Sequence, residues 1–412
     1  MANNHRESYY YKVRMTYVNT RHQEIEIDSN QIQYVLIDKD YDNINMPVIS
    51  VFGSIEKNII DDMIRNSDNN IVNFGIYKYD KTNQSDGITE QYFYDRFIYI
   101  LNEDLSKTNK LDYEEFQDDN TGNTLYRDVN IYLLQQDAVN NNSQVINGIY
   151  KDASMNSLIL QASNFLGNTL LEPIQYDTKY KQVVIPPVDS VSEYIKFLND
   201  HIGVFYDTPY RFFIDFDCTY IVSSSGNATG AKNQYMQTIV ININEVDSRD
   251  LQPLAQEQGA IVDTRAKKYT IDVNVSDVEY TRNHVVNKLV NKITVVDADG
   301  NKREQDIKPN KANITKEINR IYNVSNTDEN VINNISSTID SSNVMITIIK
   351  NDLNASLFTL NKEYIINDPL HDETSGRYIL VSNKQLVQSQ ATNFVLTTVL
   401  TFRKVYNKED SQ

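Results

Sequence analysis

Three aspartates are the side chains best suited by type and spacing to do chemistry: Asp215 and Asp217, two positions apart, with Asp207 upstream. A strand sends alternate residues to one face, so Asp215 and Asp217 would point the same way. Two carboxylates on one surface can divide acid and base work, as glycoside hydrolysis requires. Their surroundings favour a plainer reading. Phe212, Ile214, Phe216, Cys218, Tyr220 and Val222 occupy the opposite face of the same alternating run. Residues 211–222 therefore read as one long strand with a wet face and a dry one. Cys218 lies on the dry face with no base nearby in sequence, which suits core packing rather than a nucleophile.

The remaining chemistry-bearing types are dispersed. His5, His22, His201, His284 and His371 lie far apart, and none falls in a His-x-x-x-His or Glu-x-x-His frame; no metal site is expected. Asp297-Ala298-Asp299-Gly300 has part of a calcium loop but lacks the full acidic spacing and the closing glutamate, so a hairpin turn fits it better. No phosphate-cradling glycine loop or Gly-x-Ser-x-Gly elbow occurs, and the whole chain has 12 glycines. The expectation is no catalytic residue, no metal ligand and no cofactor: not an enzyme.

Composition points the same way. The 412 residues suit two or three domains with real cores. Tyrosine stands out, at 28 against 14 Phe and no Trp. Its high β propensity and polar tip suit strands with one wet face and subunit contacts. Asparagine is also abundant and favours turns, although an AT-rich genome would enrich both residues. A net charge of −17 argues against an embrace of nucleic acid, which needs clustered Lys and Arg. With Cys218 alone, no intrachain disulfide can form. The first residues carry no apolar core of a signal peptide, and no run approaches a membrane span. The Asn-x-Ser/Thr triplets at Asn227, Asn274, Asn313 and Asn354 are what chance gives at this Asn content.

The elements alternate in type along the chain. Residues 9–18, 24–27, 31–38 and 46–52 read as strands, the last with Pro47 at its start. Ile55, Ile59, Ile60, Met63 and Ile64 then share a helical face, with Ser54 as a candidate N-cap and an end in the polar cluster 66–70. Residues 71–79 and 91–101 return to strand, with a turn at 85–87. The polar stretch 117–124 marks a boundary. Beyond it come a strand over 127–135 and an amphipathic helix carrying Met155, Leu158, Ile159, Ala162, Phe165 and Leu166. Ile185-Pro186-Pro187 forces extended backbone. Ser190 and Glu193 have capping-box spacing, followed by Val191, Tyr194, Ile195 and Leu198 on one helical face. Gly203 is placed to end that helix. A short strand over 204–207, a turn at 207–209, the 211–222 run and an open loop over 223–230 complete the middle.

From 236 onward the chain is strand-like over 238–243, 269–275, 292–296, 343–349, 363–366, 377–381 and 393–405, with a turn at 297–300. Residues 301–340 read as a polar insertion with a helix over 314–322. The domain expectation is a first β domain over 1–115, an α+β middle domain over 116–235, and a second β domain over 236–412.

The run Ile185-Pro186-Pro187-Val188-Asp189-Ser190-Val191-Ser192-Glu193-Tyr194-Ile195, then Gly203-Val204-Phe205-Tyr206-Asp207 and Arg211-Phe212-Phe213-Ile214-Asp215-Phe216-Asp217, resembles the baseplate hub proteins of contractile phage tails. That family is related to the hub domains of type VI secretion spikes. Asn45-Met46-Pro47-Val48-Ile49-Ser50-Val51 and the helix and strand after it resemble the tail-tube-type barrel of such hubs. The resemblance covers most of residues 10–225 and is weaker over 236–405. It implies a mainly β chain with an α+β insertion: two tail-tube-like antiparallel β-barrel domains plus a helix-containing middle domain. It implies a homotrimeric ring joining a hexameric tail tube to a trimeric central spike, with tape measure and baseplate wedge proteins as further partners. DNA would pass its lumen without specific binding, there would be no membrane insertion, and the protein would be made in the host cytoplasm for the virion. Another tail-completion part (a wedge or adaptor) is the structural alternative. A tail-associated glycan hydrolase or adhesin is the alternative from another class. The hydrolase would lose turnover on Asp215→Asn or Asp217→Asn, and the adhesin would bind glycan as an isolated chain.

Overall fold

The computed structural model describes residues 9–19, 21, 23–66, 70–80, 88–103, 126–174, 179–205, 210–223, 237–245, 260–263, 268–282, 290–296, 302–306, 316–321, 344–390 and 393–405. The N-terminal part contributes β1 (Tyr9–Val18), β2 (Glu24–Ile27), β3 (Ile32–Asp40), β4 (Val48–Glu56), the helix α1 (Lys57–Arg65), β5 (Ile71–Asp80), β6 (Ile88–Glu103) and β7 (Tyr126–Leu134). The middle follows with the helix α2 (Gln136–Asn142), β8 (Ile146–Ser154), α3 (Met155–Ser163), β9 (Thr169–Leu171), β10 (Lys179–Val188), α4 (Val191–His201), β11 (Tyr210–Ile214) and β12 (Thr219–Ser223). Among the described residues, the regular elements of the remainder are strands apart from single 3-10 turns. It comprises β13 (Thr238–Asn244), β14 (Ala260–Asp263), β15 (Lys268–Asn274), β16 (Val278–Arg282), β17 (Val290–Val296), β18 (Lys302–Asp306), β19 (Lys316–Ile321), β20 (Val344–Asn351), β21 (Glu363–Asn367), β22 (Gly376–Gln390) and β23 (Asn393–Lys404). The chain is thus mainly β with a helix-bearing middle, as expected.

Both ends of the chain build the first barrel. β3, β4, β7, β6, β5 and β1 pair antiparallel in that order. The distal half of β22 then pairs with β3 from Ser382 to Gln388, and β23 sets Phe394 opposite Tyr11 of β1. Because β22 and β23 pair with each other, the ring closes, with β2 attached to β1 alone outside it. Period-2 alternation sends Tyr11, Val13, Met15 and Tyr17 of β1 inward, to meet Val35, Val51, Phe74, Ile131, Val387 and Leu396. β7 falls in the span expected to open the middle region, yet it lies at the centre of this barrel.

The proximal half of β22 and the distal half of β23 leave this barrel for a second β body. There β21, β22, β23, β20 and β16 are neighbours, and β13, β15 and β14 continue beyond β21. The bulge between Leu380 and Ser382 marks the crossing, where the Val381 carbonyl accepts the Tyr41 N–H at 3.0 Å. The ladder is mixed, since β13 runs parallel to both β15 and β21. Ile241, Ile271, Ile348, Tyr364, Leu400 and Phe402 fill its core. The segment after β20 plugs this core with Leu353, Phe358 and Leu360. Two fully buried polar side chains of the long hairpin hold the plug. Asn383 donates to the Ala355 carbonyl at 3.0 Å, and Thr398 donates to the Leu353 carbonyl at 3.0 Å.

The middle packs α3 and α4 on the β8–β10 pair around its own core of Met155, Leu158, Val183, Tyr194, Ile195 and Leu198. Ser154 caps α3, and Ser190 caps α4 by accepting the Glu193 N–H at 3.1 Å. The Glu193 carboxylate reaches back to the Asp189 N–H at 3.1 Å, one residue earlier than the usual box. Gly203 ends α4 at φ +87°, donating to the Leu198 and Asn199 carbonyls. The β8–β10 register skips between Ile185 and Val188, where Pro186 and Pro187 have no N–H to give.

Several local expectations give way to pairing. Ser54 and Ile55 are strand, not helix start. β4 continues against Asp128, Arg127 and Tyr126 of β7, and Ile55 is buried in the barrel. Helix α1 begins at Lys57 with no side-chain cap bond. The helix expected over 314–322 is the strand β19, drawn into a parallel ladder with β17. That is a tertiary partner overriding local preference. Val204 and Phe205 are buried bend residues rather than strand. The strand expected over 377–381 runs on to Gln390. The turns expected at 85–87, 207–209 and 297–300 and the loop over 224–230 lie outside the described residues. Leu396→Ala is expected to cost about 2–5 kcal/mol in urea unfolding, as one transition shared by the whole first barrel. A near-neutral change would mean that the C-terminal hairpin is not part of that core.

Candidate functional site

Residues 210–223 form a hairpin rather than one long strand. β11 and β12 pair Ile214 with Thr219 and leave Asp215-Phe216-Asp217-Cys218 as the loop. The Asp215 N–H donates to the Cys218 carbonyl at 3.0 Å. The Asp215 carboxylate accepts the Phe216 N–H at 2.8 Å, and that of Asp217 accepts the Cys218 N–H at 2.9 Å. Aspartate favours turns because its short side chain can bond the local backbone in this way. The expected wet face is absent: the hairpin is buried on both sides. Phe212, Ile214 and Ile221 enter the middle core, while Phe213, Tyr220 and Val222 enter the core of the second β body. Phe216, at the tip, meets Phe97 of the first barrel edge-on at 6.2 Å. One hairpin therefore touches all three cores.

Charges bind this hairpin to the β3–β4 connection. Lys39 Nζ lies 2.6 Å from Asp215 Oδ1, with the side chains only 8% and 2% exposed. The same ammonium sits 4.4 Å from the centre of the Phe216 ring. Asp42 is shared, at 3.1 Å from Arg211 Nη2 and 2.7 Å from Arg403 Nη1. Tyr41 stands between, under the Arg211 guanidinium at 5.7 Å and edge-on to Phe213 at 4.6 Å. The Ile214 N–H donates to the Asn45 carbonyl at 2.7 Å, and Met46 packs on the middle core. Burial lowers the Arg211 pKa, with Asp42 opposing the fall and Arg403 adding to it. Burial, then the Asp215 charge, holds the Tyr41 phenol well above its ordinary value. The first barrel, the middle and the C-terminal strand thus meet in one largely buried, charged joint.

The residues singled out in the sequence go to different places. Asp215 is committed to Lys39. Asp217 accepts the Tyr220 hydroxyl at 3.2 Å. Cys218 is half-buried, and burial first of all pushes its thiol up to about 11, which keeps it protonated. His201 stacks on Phe197 at 4.0 Å, with Nδ1 2.9 Å from the Phe197 carbonyl. His371 lies 3.3 Å from the buried Asp368. Asp207, His5, His22, His284, Asp297 and Asp299 lie outside the described residues. Among the described residues, no group of three or more His, Cys, Asp or Glu could hold a metal ion. No helix among them is long and apolar enough to cross a membrane. The joint's other members, Lys39, Asp42 and Arg403, gave no local signal, since their partners come from remote strands.

Asp368 forms a second buried polar knot. It accepts the Tyr280 hydroxyl of β16 at 2.8 Å, the Thr374 hydroxyl at 2.6 Å and the Leu370 N–H at 3.1 Å. Burial opposes its charge, but these donors and His371 prevail and hold its carboxyl below the usual range. Such a group adds stability above its unfolded pKa of about 3.9, and loses it as pH falls through the folded value.

The model of the family described as Bacteriophage PBS1 gene 109 protein matches residues 5–405. No curated protein sequence matches. Among solved structures, the tail protein from Neisseria meningitidis MC58 superposes with a TM-score of 0.52 at 8% identity, covering 96% of this chain and 97% of that one. At that identity the likeness speaks to the fold alone. A 43 kDa tail protein of prophage MuSo2 from Shewanella oneidensis gives 0.48 at 7% identity, covering 95% and 98%. An E. coli type VI secretion component, described as similar to T4 tail proteins gp27 and gp5, gives 0.45 at 7% identity, covering 93% and 74%.

Lys39→Met leaves the Asp215 charge buried without its partner and should cost about 3–5 kcal/mol in chemical denaturation. Adding Asp215→Leu should recover most of that loss; a double variant as weak as the single would contradict the pairing. Asp368→Asn should lower stability at neutral pH and flatten the acid limb of the stability profile below about pH 4.

Proposed function

The chain belongs to the Bacteriophage PBS1 gene 109 protein family, and on that premise we propose that it is a structural subunit of a phage tail baseplate. The observation that carries this reading is the extent of the match, which runs over nearly the whole chain. The tail-protein fold spans it equally. The chain's own chemistry accords with a structural part. The best carboxylate candidate, Asp215, is held in an ion pair with side chains almost fully covered, and Asp217 is engaged with a turn and Tyr220. Asp215 is thus withdrawn from solvent, and Asp217, though exposed, has no second free carboxylate beside it on the hairpin.

Within the baseplate, the chain acts as a hub. Three copies form a ring in which each contributes two β bodies, so a threefold ring presents pseudo-sixfold symmetry. Such a ring adapts a hexameric tail tube to a trimeric central spike, with the tape measure and wedge proteins as neighbours. Closed symmetry also hides strand edges that would otherwise invite aggregation. The net charge of −17 suits a lumen that lets DNA slide through without capture. Counting the chain in purified virions by quantitative mass spectrometry should return three copies per tail. Six copies, or a position at the baseplate periphery in averaged micrographs, would replace the hub by a tube-like or wedge part. Turnover of cell-wall glycan by the purified chain would overturn the structural reading.

A further inference from the structure

The charged joint is not fully satisfied by its own side chains. Tyr41, Arg211 and Asp215 are 4%, 7% and 5% exposed. Each nevertheless keeps a buried polar atom without a protein hydrogen-bond partner: Tyr41 Oη, Arg211 Nε and Asp215 Oδ2. Buried polar groups left unpaired are costly, and native proteins seldom tolerate several together. The three belong to one locale. Arg211, Phe213 and Asp215 alternate along β11 and its end, so they share a face. Tyr41 packs against that face, beneath the Arg211 guanidinium and against Phe213. The charges of both Asp215 and Arg211 are felt at its hydroxyl.

The orphan atoms specify what could occupy the site. Arg211 Nε–H can only donate, the Asp215 oxygen can only accept, and the Tyr41 hydroxyl can do either. A metal cation is opposed by the ammonium of Lys39 and the guanidinium of Arg211. An anion is opposed by the free oxygen of Asp215. A small neutral molecule that both accepts and donates meets the whole set. We propose that the joint between the three cores is a binding site for ordered water. Ordered water there, as one molecule or several, accepts from Arg211 Nε–H, donates to Asp215 Oδ2 and engages the Tyr41 hydroxyl. Internal waters of this kind bridge buried polar groups that direct contacts leave unmet. The three cores therefore meet through a hydrated seam rather than a dry weld.

A high-resolution map of the intact wild-type chain tests this without any variant. The expected result is one or more ordered waters within about 2.7–3.2 Å of Arg211 Nε and Asp215 Oδ2. A Tyr41 hydroxyl bonded directly to Asp215 Oδ2, with no solvent density beside Arg211 Nε, would overturn it. Tyr41→Phe supplies a second check, because the two other orphan atoms remain. Water oxygen-17 relaxation dispersion should still detect long-lived internal water at the joint in this variant. Loss of that signal in both proteins would also overturn the proposal.

Discussion

The constraint on which the rest of the molecule depends is the long hairpin of β22 and β23. Each strand is too long for one β body, and each serves two. Val387, Phe394 and Leu396 lie in the first core, whereas Tyr378, Leu400 and Phe402 lie in the second. The bulge after Leu380 turns the strand between them. The first barrel therefore cannot close until β22 and β23 are in place. Such non-local pairing slows folding, since loop closure must precede the contacts that reward it. In return it makes the two β bodies one mechanical piece.

The middle is fastened to that piece by a different interaction. Apolar packing alone would let the β11–β12 hairpin settle in more than one register against three cores. Charges narrow the choice. Lys39 must find Asp215 or leave a buried charge unpaired, at a cost of about 3–5 kcal/mol, and the partly exposed Asp42 must find both arginines. In this joint the ion pairs act chiefly as locators. The seam is polar, largely buried and formed from strands far apart in sequence.

Local features of this architecture were legible in the sequence. Alternation gave β1 and β2, and strand-like composition gave β5, β13 and β23, because each turns at least one face inward. The serine caps and Gly203 marked α4 because capping chemistry is local. What stayed hidden was long-range. The distal half of β22, Ser382-Asn383-Lys384-Gln385, looks too polar for a strand interior. It is a strand because it pairs with β3, Asn383 finds a buried carbonyl partner and Gln385 a buried place that no neighbouring residue announces. Asp215 and Asp217 suggested a carboxylate pair on a wet strand face. They are turn residues because Ile214 pairs with Thr219, a register set by the cores on either side. The helix expected over 314–322 failed for the same reason, through a partner strand not visible locally.

The claim that one hairpin unites both β bodies is tested most directly by native-state hydrogen exchange on the intact chain. Amides of β1 and β3 in the first barrel, and of β20 and β21 in the second, should open with one common free energy and one denaturant dependence. If the first-barrel amides exchange through a separate opening while the second body stays protected, the two bodies are independent and the shared hairpin is not what holds the molecule together.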